Sequence, residues 1–136
     1  MKSETFIQYL LQYGSLNQQQ TDLIKDSLLI RTCNPDEYFL EAGQVSNEIG
    51  FVLDGIFRIC YYDNAGNEIT RYFIDERNFI VDLNSYNSGL ATTEYIQAVT
   101  ECELLVLTKE AMNNLSRTII SWDRIIAKIT AKEMAE

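Results

Sequence analysis

The pattern of apolar and polar positions divides the chain into a helical beginning, a long stretch of short strands and a helical end. Apolar residues recur at helical spacing over residues 3–13, which predicts a helix that Gly14 ends. A second helix is predicted for residues 18–28, with Asn17 as its N-cap.

Between the helical ends, short apolar runs alternate with turn residues every several positions. About eight strands are predicted, which is typical of a β-sandwich or roll. The strongest signal is in residues 50–83, where two β runs flank a polar turn that contains Gly66 and so predict a hairpin. The predicted strands cover residues 30–33, 38–40, 50–53, 56–62, 68–74, 78–83, 95–99 and 103–107.

Helical spacing returns over residues 109–115 and again from Ser121, a natural N-cap, to the end of the chain. The last helix carries an apolar stripe that we expect to be buried, either against the same chain or against a second copy. The stripe consists of Trp122, Ile125, Ile126, Ile129 and Met134.

Composition excludes several classes of function. The net charge of −9 disfavours contact of this segment with nucleic acid or an anionic membrane. The chain has no histidine, so histidine-based metal sites, metal-dependent cupins and Ser-His-Asp triads are excluded. The spacing of the three cysteines, Cys33, Cys60 and Cys102, is not that of an iron–sulfur cluster or a zinc site, so we expect buried, reduced thiols and no bound metal. No apolar stretch is long enough to span a membrane, and we expect a cytoplasmic protein.

Several motifs resemble the cyclic-nucleotide-binding domain of Crp/Fnr-type bacterial transcription regulators. They are the turn at residues 41–44, the aromatic–aliphatic strand and glycine turn at residues 50–55, Gly66 at the hairpin tip, and residues 98–104. The resemblance covers residues 4–136 and implies a mainly β fold with flanking helices, a double-stranded β-helix or jelly roll. It implies a sensor domain with N-terminal helices at 1–28, a β-roll at 29–108 and C-terminal helices at 109–136.

The resemblance also locates a phosphate-binding cassette, and this sequence departs from it. Nucleotide-binding members carry Gly-Glu where this chain has Val81-Asp82, and Arg-Ser/Thr-Ala where it has Thr92-Thr93-Glu94. Losing a bidentate arginine costs about 3–6 kcal/mol, or about 10²–10⁴-fold in affinity. We therefore expect neither cyclic AMP nor cyclic GMP to bind in the usual way, and no other cofactor is indicated.

Arg71 could replace the missing cation if its face of the hairpin looks into the roll. Period two places Ile69, Arg71 and Phe73 on one face, whereas the alternative turns Thr70, Tyr72 and Ile74 inward and leaves Arg71 in solvent. Arg58 is expected to face outward. The candidate pocket residues are Ile59, Arg71, Phe73, Val81, Asp82, Thr92, Thr93 and Tyr95.

In the resembling family the last helix pairs with its twin, so the resemblance implies a homodimer through the stripe. The resemblance also implies a helix-turn-helix DNA-binding domain after that helix, and this chain contains no such domain. We therefore expect the chain to be the sensor half of a longer regulator. No catalytic residue is assigned. The alternatives are a stand-alone small-molecule-binding module, a cupin-like isomerase without metal that uses Asp82 and Tyr95, and a dimerisation scaffold with a vestigial pocket.

Overall fold

A computed structural model describes residues 2–134, and the side chain of Met134 falls outside the described part. The helices are α1 (Lys2–Leu11), α2 (Gln18–Ser27), α3 (Leu83–Ser88), α4 (Lys109–Thr118) and α5 (Trp122–Met134). The strands are β1 (Leu29–Cys33), β2 (Tyr38–Leu40), β3 (Glu48–Asp54), β4 (Phe57–Tyr62), β5 (Glu68–Ile74), β6 (Phe79–Ile80), β7 (Tyr95–Ala98) and β8 (Cys102–Thr108).

Residues 30–106 form a compact β unit. Within the described residues its strands make two four-stranded sheets, in the orders β1-β8-β3-β6 and β2-β7-β4-β5. Alternating apolar side chains from both sheets form one core, as two packed sheets require. The core residues are Cys33, Leu40, Val52, Phe57, Ile59, Ile74, Ile80, Ile96, Ala98, Cys102, Leu104 and Val106. The predicted jelly-roll fold class is confirmed.

The turn between β3 and β4 depends on Gly55. Its φ of +102° lies in the left-handed region, which an L side chain rarely adopts. A Cβ at this position would lie 2.6 Å from the carbonyl oxygen of Glu101 and 2.9 Å from Cα of Cys102. Gly66, at the tip of the β4–β5 hairpin, has a φ of +84° but no atom within 4 Å of the same Cβ position.

The helices α1, α2, α4 and α5 form a second unit, built from residues 2–29 and 107–134, whereas α3 lies in the β unit. Within it α1 packs on α2, α2 on α4 and α4 on α5. Asn17 caps α2 as predicted and forms a capping box: the amide of Gln20 donates to Asn17 Oδ1 at 2.8 Å, and the amide of Asn17 donates to Gln20 Oε1 at 3.0 Å.

The apolar stripe of α5 is largely covered in the single chain. Trp122, Ile125 and Ile129 are 1%, 1% and 0% exposed, and Ile126 is half-buried. Gly14 approaches Ile125 so closely that a Cβ on the glycine would lie 2.7 Å from Ile125 Cγ1. Three of the predicted dimer residues therefore need no second copy to cover them. The dimer itself stays a prediction.

The predicted strand at residues 78–83 is wrong in its second half. Only Phe79–Ile80 pairs as β6, and Leu83–Ser88 forms α3. Asp82 starts this helix because its Oδ1 accepts from the amide of Ser85, and Gly89 ends it with a φ of 76°. The sequence of α3 is rich in Asn and Ser, which are poor helix formers, so spacing alone did not indicate a helix.

Candidate ligand-binding site

A groove opens at the end of the β unit where the β4–β5 hairpin meets the segment that leads into β7. Its volume is about 400 Å³, and it is lined by Tyr61, Tyr62, Arg71, Thr93 and Glu94. Two of these residues, Arg71 and Thr93, belong to the predicted pocket.

Arg71 enters the groove because it occupies a β-bulge. The register of β4 on β5 pairs Ile59 with Tyr72 but Cys60 with Thr70, so Arg71 is the extra residue of β5. The side chain of Arg71 is 50% exposed, and its Nη1 donates to Glu94 Oε2 at 2.6 Å. The cation therefore lines the groove already paired with a carboxylate.

The bulge also explains why neither assignment of faces from period two holds along the whole strand. Phe73 pairs with Arg58 on the outward face and is 62% exposed, so it does not share the groove with Arg71. Tyr72 and Ile74 pair with Ile59 and Phe57 on the inward face. An extra residue shifts the alternation by one, and the side chains beyond it change face.

Arg58 faces outward, as expected, and is held there by polar partners. Its Nε donates to Gln97 Oε1 at 2.9 Å, and its Nη1 lies 2.7 Å from Glu68 Oε1 and 3.0 Å from the hydroxyl of Thr70. The guanidinium is thus engaged on the opposite side of the sheet from the core residues Phe57 and Ile59.

The two ends of the cassette are bonded to each other. The hydroxyl of Thr92 donates to Asp82 Oδ2 at 2.5 Å, and Thr92 is only 4% exposed. Asp82 Oδ1 also accepts from the amide of Ser85, and the backbone amide of Asp82 donates to the hydroxyl of Ser46. The carboxylate that survives from the family cassette is therefore committed to the protein's own groups.

Two buried serines complete this network. The hydroxyl of Ser85 accepts from the amide of Ser46 at 2.8 Å and donates to the carbonyl of Leu90 at 2.6 Å. Ser46 and Ser85 are 1% and 4% exposed. Because buried hydrogen-bonded networks restrict the groups that form them, the loop from Asp82 to Thr92 is held in place by the protein's own side chains and backbone.

The remaining predicted pocket residues lie elsewhere in the β unit. Ile59 is 4% exposed in the core, and Val81 is half-buried beside Asp82. Tyr95 pairs with Cys60 in the sheet, and its ring lies 5.4 Å from that of Tyr38 and 5.6 Å from that of Tyr62. The structure thus brings Arg71 and Thr93 together, and separately Asp82 and Thr92, but it does not gather all eight residues.

The thiols add no reactive group to the groove. Cys33, Cys60 and Cys102 are all buried and unpaired, and burial raises the pKa of each thiol. Within residues 2–134, side chains of His, Cys, Asp and Glu form no group of three that could hold a metal ion.

The pocket predicted from sequence lacks four residues that the structure places in the groove or in the network around Asp82. For Glu94 the available signal is a carboxylate at a cassette position, and for Tyr61 it is the period-two alternation of β4, which places Tyr61 on the same face as Ile59. Ser46 and Ser85, by contrast, gave no signal because serines in loops are common and their burial depends on tertiary contacts.

Two packed sheets, a cassette-like loop and a groove at the hairpin define a β-roll of the regulatory, ligand-binding type. The chain belongs to the cyclic nucleotide-binding domain family, which matches residues 30–118. No curated protein matches the sequence. In the described part of the chain, no helix has both the length and the apolar character that crossing a membrane requires.

Solved structures of the same fold show low sequence identity. The Catabolite Activator Protein of Thermus thermophilus is 19% identical with a TM-score of 0.76, covering 93% of this chain and 58% of that one. A cyclic nucleotide-binding domain from Methylobacillus flagellatus is 11% identical with a TM-score of 0.80, covering 98% and 81%. The regulatory subunit of a cAMP-independent protein kinase A from Trypanosoma cruzi, bound to guanosine, is 20% identical with a TM-score of 0.70, covering 90% and 44%.

Proposed function

We propose that the chain is the sensing and dimerisation domain of a Crp/Fnr-type transcription regulator whose cassette does not hold a cyclic nucleotide. The observation that carries this proposal is the hydrogen bond from Thr92 to Asp82 at 2.5 Å. This bond joins Asp82, at the position that would bind the ribose, to Thr92, at the position that would bind the phosphate. The two side chains are therefore hydrogen-bonded to each other.

The charges of the groove support the same conclusion. Arg71, the cation that lines it, is paired with Glu94, so a cyclic phosphate would have to compete with a carboxylate at 2.6 Å. A charge-assisted hydrogen bond contributes about 1.5–3 kcal/mol, and the cassette offers a threonine hydroxyl where the family has an arginine. The fold also occurs without cyclic nucleotide, since the Trypanosoma cruzi protein is cAMP-independent and bound to guanosine.

The regulator part of the proposal rests on the similarity to the Thermus thermophilus Catabolite Activator Protein, of which this chain spans 58% of the length. DNA would be contacted through a further domain after α5, and the sensor would act as a homodimer in the cytoplasm. Because Trp122, Ile125 and Ile129 are buried in one chain, the dimer contact on α5 would involve the flank that carries Ile126.

Calorimetric titration of the purified chain with cyclic AMP and cyclic GMP tests the proposal. No saturable heat is expected up to high micromolar ligand, and saturation at low micromolar concentration of either nucleotide would overturn it. The sequence of the gene beyond the codon for Glu136 separates a regulator from a stand-alone module, because only the regulator encodes a DNA-binding domain there.

The isomerase alternative receives less support from the side chains it needs. Asp82 is engaged by Thr92 and Ser85, whereas Tyr95 packs against Tyr38 and Tyr62. A general acid and a general base must both come within hydrogen-bond distance of the same substrate, whereas the side chains of Asp82 and Tyr95 are engaged in separate contacts within the protein.

A further inference from the structure

We propose that the groove lined by Tyr61, Tyr62, Arg71, Thr93 and Glu94 binds an uncharged purine nucleoside, with guanosine the best match. This inference rests on the proposed function, because it names the effector class of a sensor that has lost its phosphate site. The size, the charge balance and the hydrogen-bonding groups of the groove all fit such a ligand.

The groove is open to solvent, is large enough for a compact ligand and has aromatic and polar walls. Its volume of about 400 Å³ lies within the range of pockets that hold compact organic ligands. Tyr61 and Tyr62 supply aromatic rings, and planar bases stack on such rings. The ring of Tyr62 is fixed by an edge contact with Tyr95 at 5.6 Å and by its hydroxyl, which donates to Glu68 at 3.0 Å.

The charged groups of the groove balance each other. Arg71 and Glu94 form one ion pair at 2.6 Å, and the side chain of Glu94 is 21% exposed. A ligand with a net negative charge would have to displace Glu94 from Arg71 or leave two anions side by side, and the whole chain already carries a net charge of −9. A neutral ligand can approach both groups while the pair stays intact.

The ion pair offers donors and acceptors side by side. A guanidinium has five N–H donors, and the bond to Glu94 Oε2 involves Nη1. A carboxylate accepts up to four hydrogen bonds, so Glu94 can also accept from a ligand. Guanine presents the complementary groups, since O6 and N7 accept from arginine and its ring and exocyclic N–H groups donate to a carboxylate. Thr93 also lines the groove, where its hydroxyl would bind the ribose.

The closing experiment compares guanosine with cyclic GMP, which differ by the cyclic phosphate. Calorimetry on the full chain should give saturable binding of guanosine at micromolar concentration and at least tenfold weaker binding of cyclic GMP. Glu94→Gln should reduce guanosine affinity at least tenfold. The matched control Glu48→Gln removes a carboxylate that pairs with Arg31 outside the groove lining and should change the guanosine affinity less than twofold. Circular dichroism and thermal unfolding show whether both variants are folded.

The outcomes separate the inference from the proposed function. If neither compound binds, the nucleoside site is overturned and the proposed function stands. If cyclic GMP binds as tightly as guanosine or more tightly, both are overturned. If guanosine alone binds but Glu94→Gln leaves its affinity unchanged, the assignment of the groove is overturned.

Discussion

The hydroxyl of Thr92 donates to the carboxylate of Asp82 at 2.5 Å, from a side chain that is 4% exposed. Replacing Thr92 by valine keeps the shape of the side chain but leaves an oxygen of Asp82 without its donor. We expect Thr92→Val to lower the free energy of unfolding by about 1–3 kcal/mol. Urea unfolding followed by fluorescence measures this change.

The neighbouring threonine is the control for that measurement. Thr93 is exposed, so Thr93→Val should change the free energy of unfolding by less than about 0.5 kcal/mol. If both substitutions changed the free energy of unfolding equally, the hydrogen bond from Thr92 to Asp82 would make no specific contribution to stability.

A second prediction concerns the missing cation. The triple variant Val81→Gly, Thr92→Arg and Glu94→Ala restores the backbone access and the positive charge of the family cassette and removes the opposing carboxylate. Because two charge-assisted hydrogen bonds contribute about 3–6 kcal/mol, cyclic AMP should bind at least a hundredfold more tightly than to the natural chain. Calorimetric titration gives the affinities.

The matched control carries Val81→Gly and Glu94→Ala without the arginine, and it should show little gain. If the triple variant is folded and binds cyclic AMP no better than this control, then the lost arginine is not what prevents binding.

A third prediction concerns the two glycine turns. Gly55→Ala should lower the free energy of unfolding by more than about 3 kcal/mol, because it combines an unfavourable φ with contacts to the backbone of Glu101 and Cys102 below 3 Å. Gly66→Ala has the same backbone strain in open space and should cost about 1–2 kcal/mol. Chemical unfolding of both variants measures the difference, and equal values would contradict the role of the close approach at Gly55.

The ion pair between Arg31 and Glu48 predicts a dependence on pH. Both guanidinium Nη atoms donate to Glu48 at 2.8 Å, and this hydrogen bonding lowers the pKa of the Glu48 carboxyl below its usual value of 4.5. A depressed pKa stabilises the fold above the unfolded value, and this contribution disappears as the pH falls through the lower, folded pKa. The pair is partly exposed, so its contribution near neutral pH is about 0.5–1 kcal/mol.

Glu48→Gln should therefore destabilise the protein near pH 7, and the difference from the natural chain should shrink toward pH 3. Urea unfolding at several pH values measures it. Glu101→Gln, at an exposed loop position, serves as the control. A difference that is constant over the whole range would exclude a titrating contribution from Glu48.

The fifth prediction tests the proposed dimer. Ile126 is half-buried on the flank of α5, so Ile126→Glu should weaken self-association at least tenfold, whereas Ala127→Glu, which adds the same charge at an exposed position, should not. Sedimentation equilibrium measures both. Ile125→Ala should instead destabilise the folded chain by about 2–5 kcal/mol, since Ile125 is 1% exposed. A natural chain that stays monomeric at high micromolar concentration would contradict the dimer.

The turns and caps of this fold could be predicted from sequence because they depend on local chemistry. Gly55 and Gly66 mark turns through their backbone freedom, and Asn17 marks a helix start through its side-chain oxygen. The face of Arg71 could not be predicted, because a bulge is fixed by the pairing of two strands and leaves no mark in the polarity of one. Likewise, Thr92 and Asp82 are ten positions apart in sequence, and only the loop geometry makes them partners.

The bulge at Arg71 divides β5 into two halves whose alternation is out of step. Deleting Arg71 would bring the halves back into step without moving their partners: Thr70 would stay opposite Cys60, and Tyr72 opposite Ile59, so no other side chain of β5 would change face. In such a roll, a change of one residue in strand length removes the arginine of the groove and preserves the core. Ligand preference and stability can then evolve independently of each other.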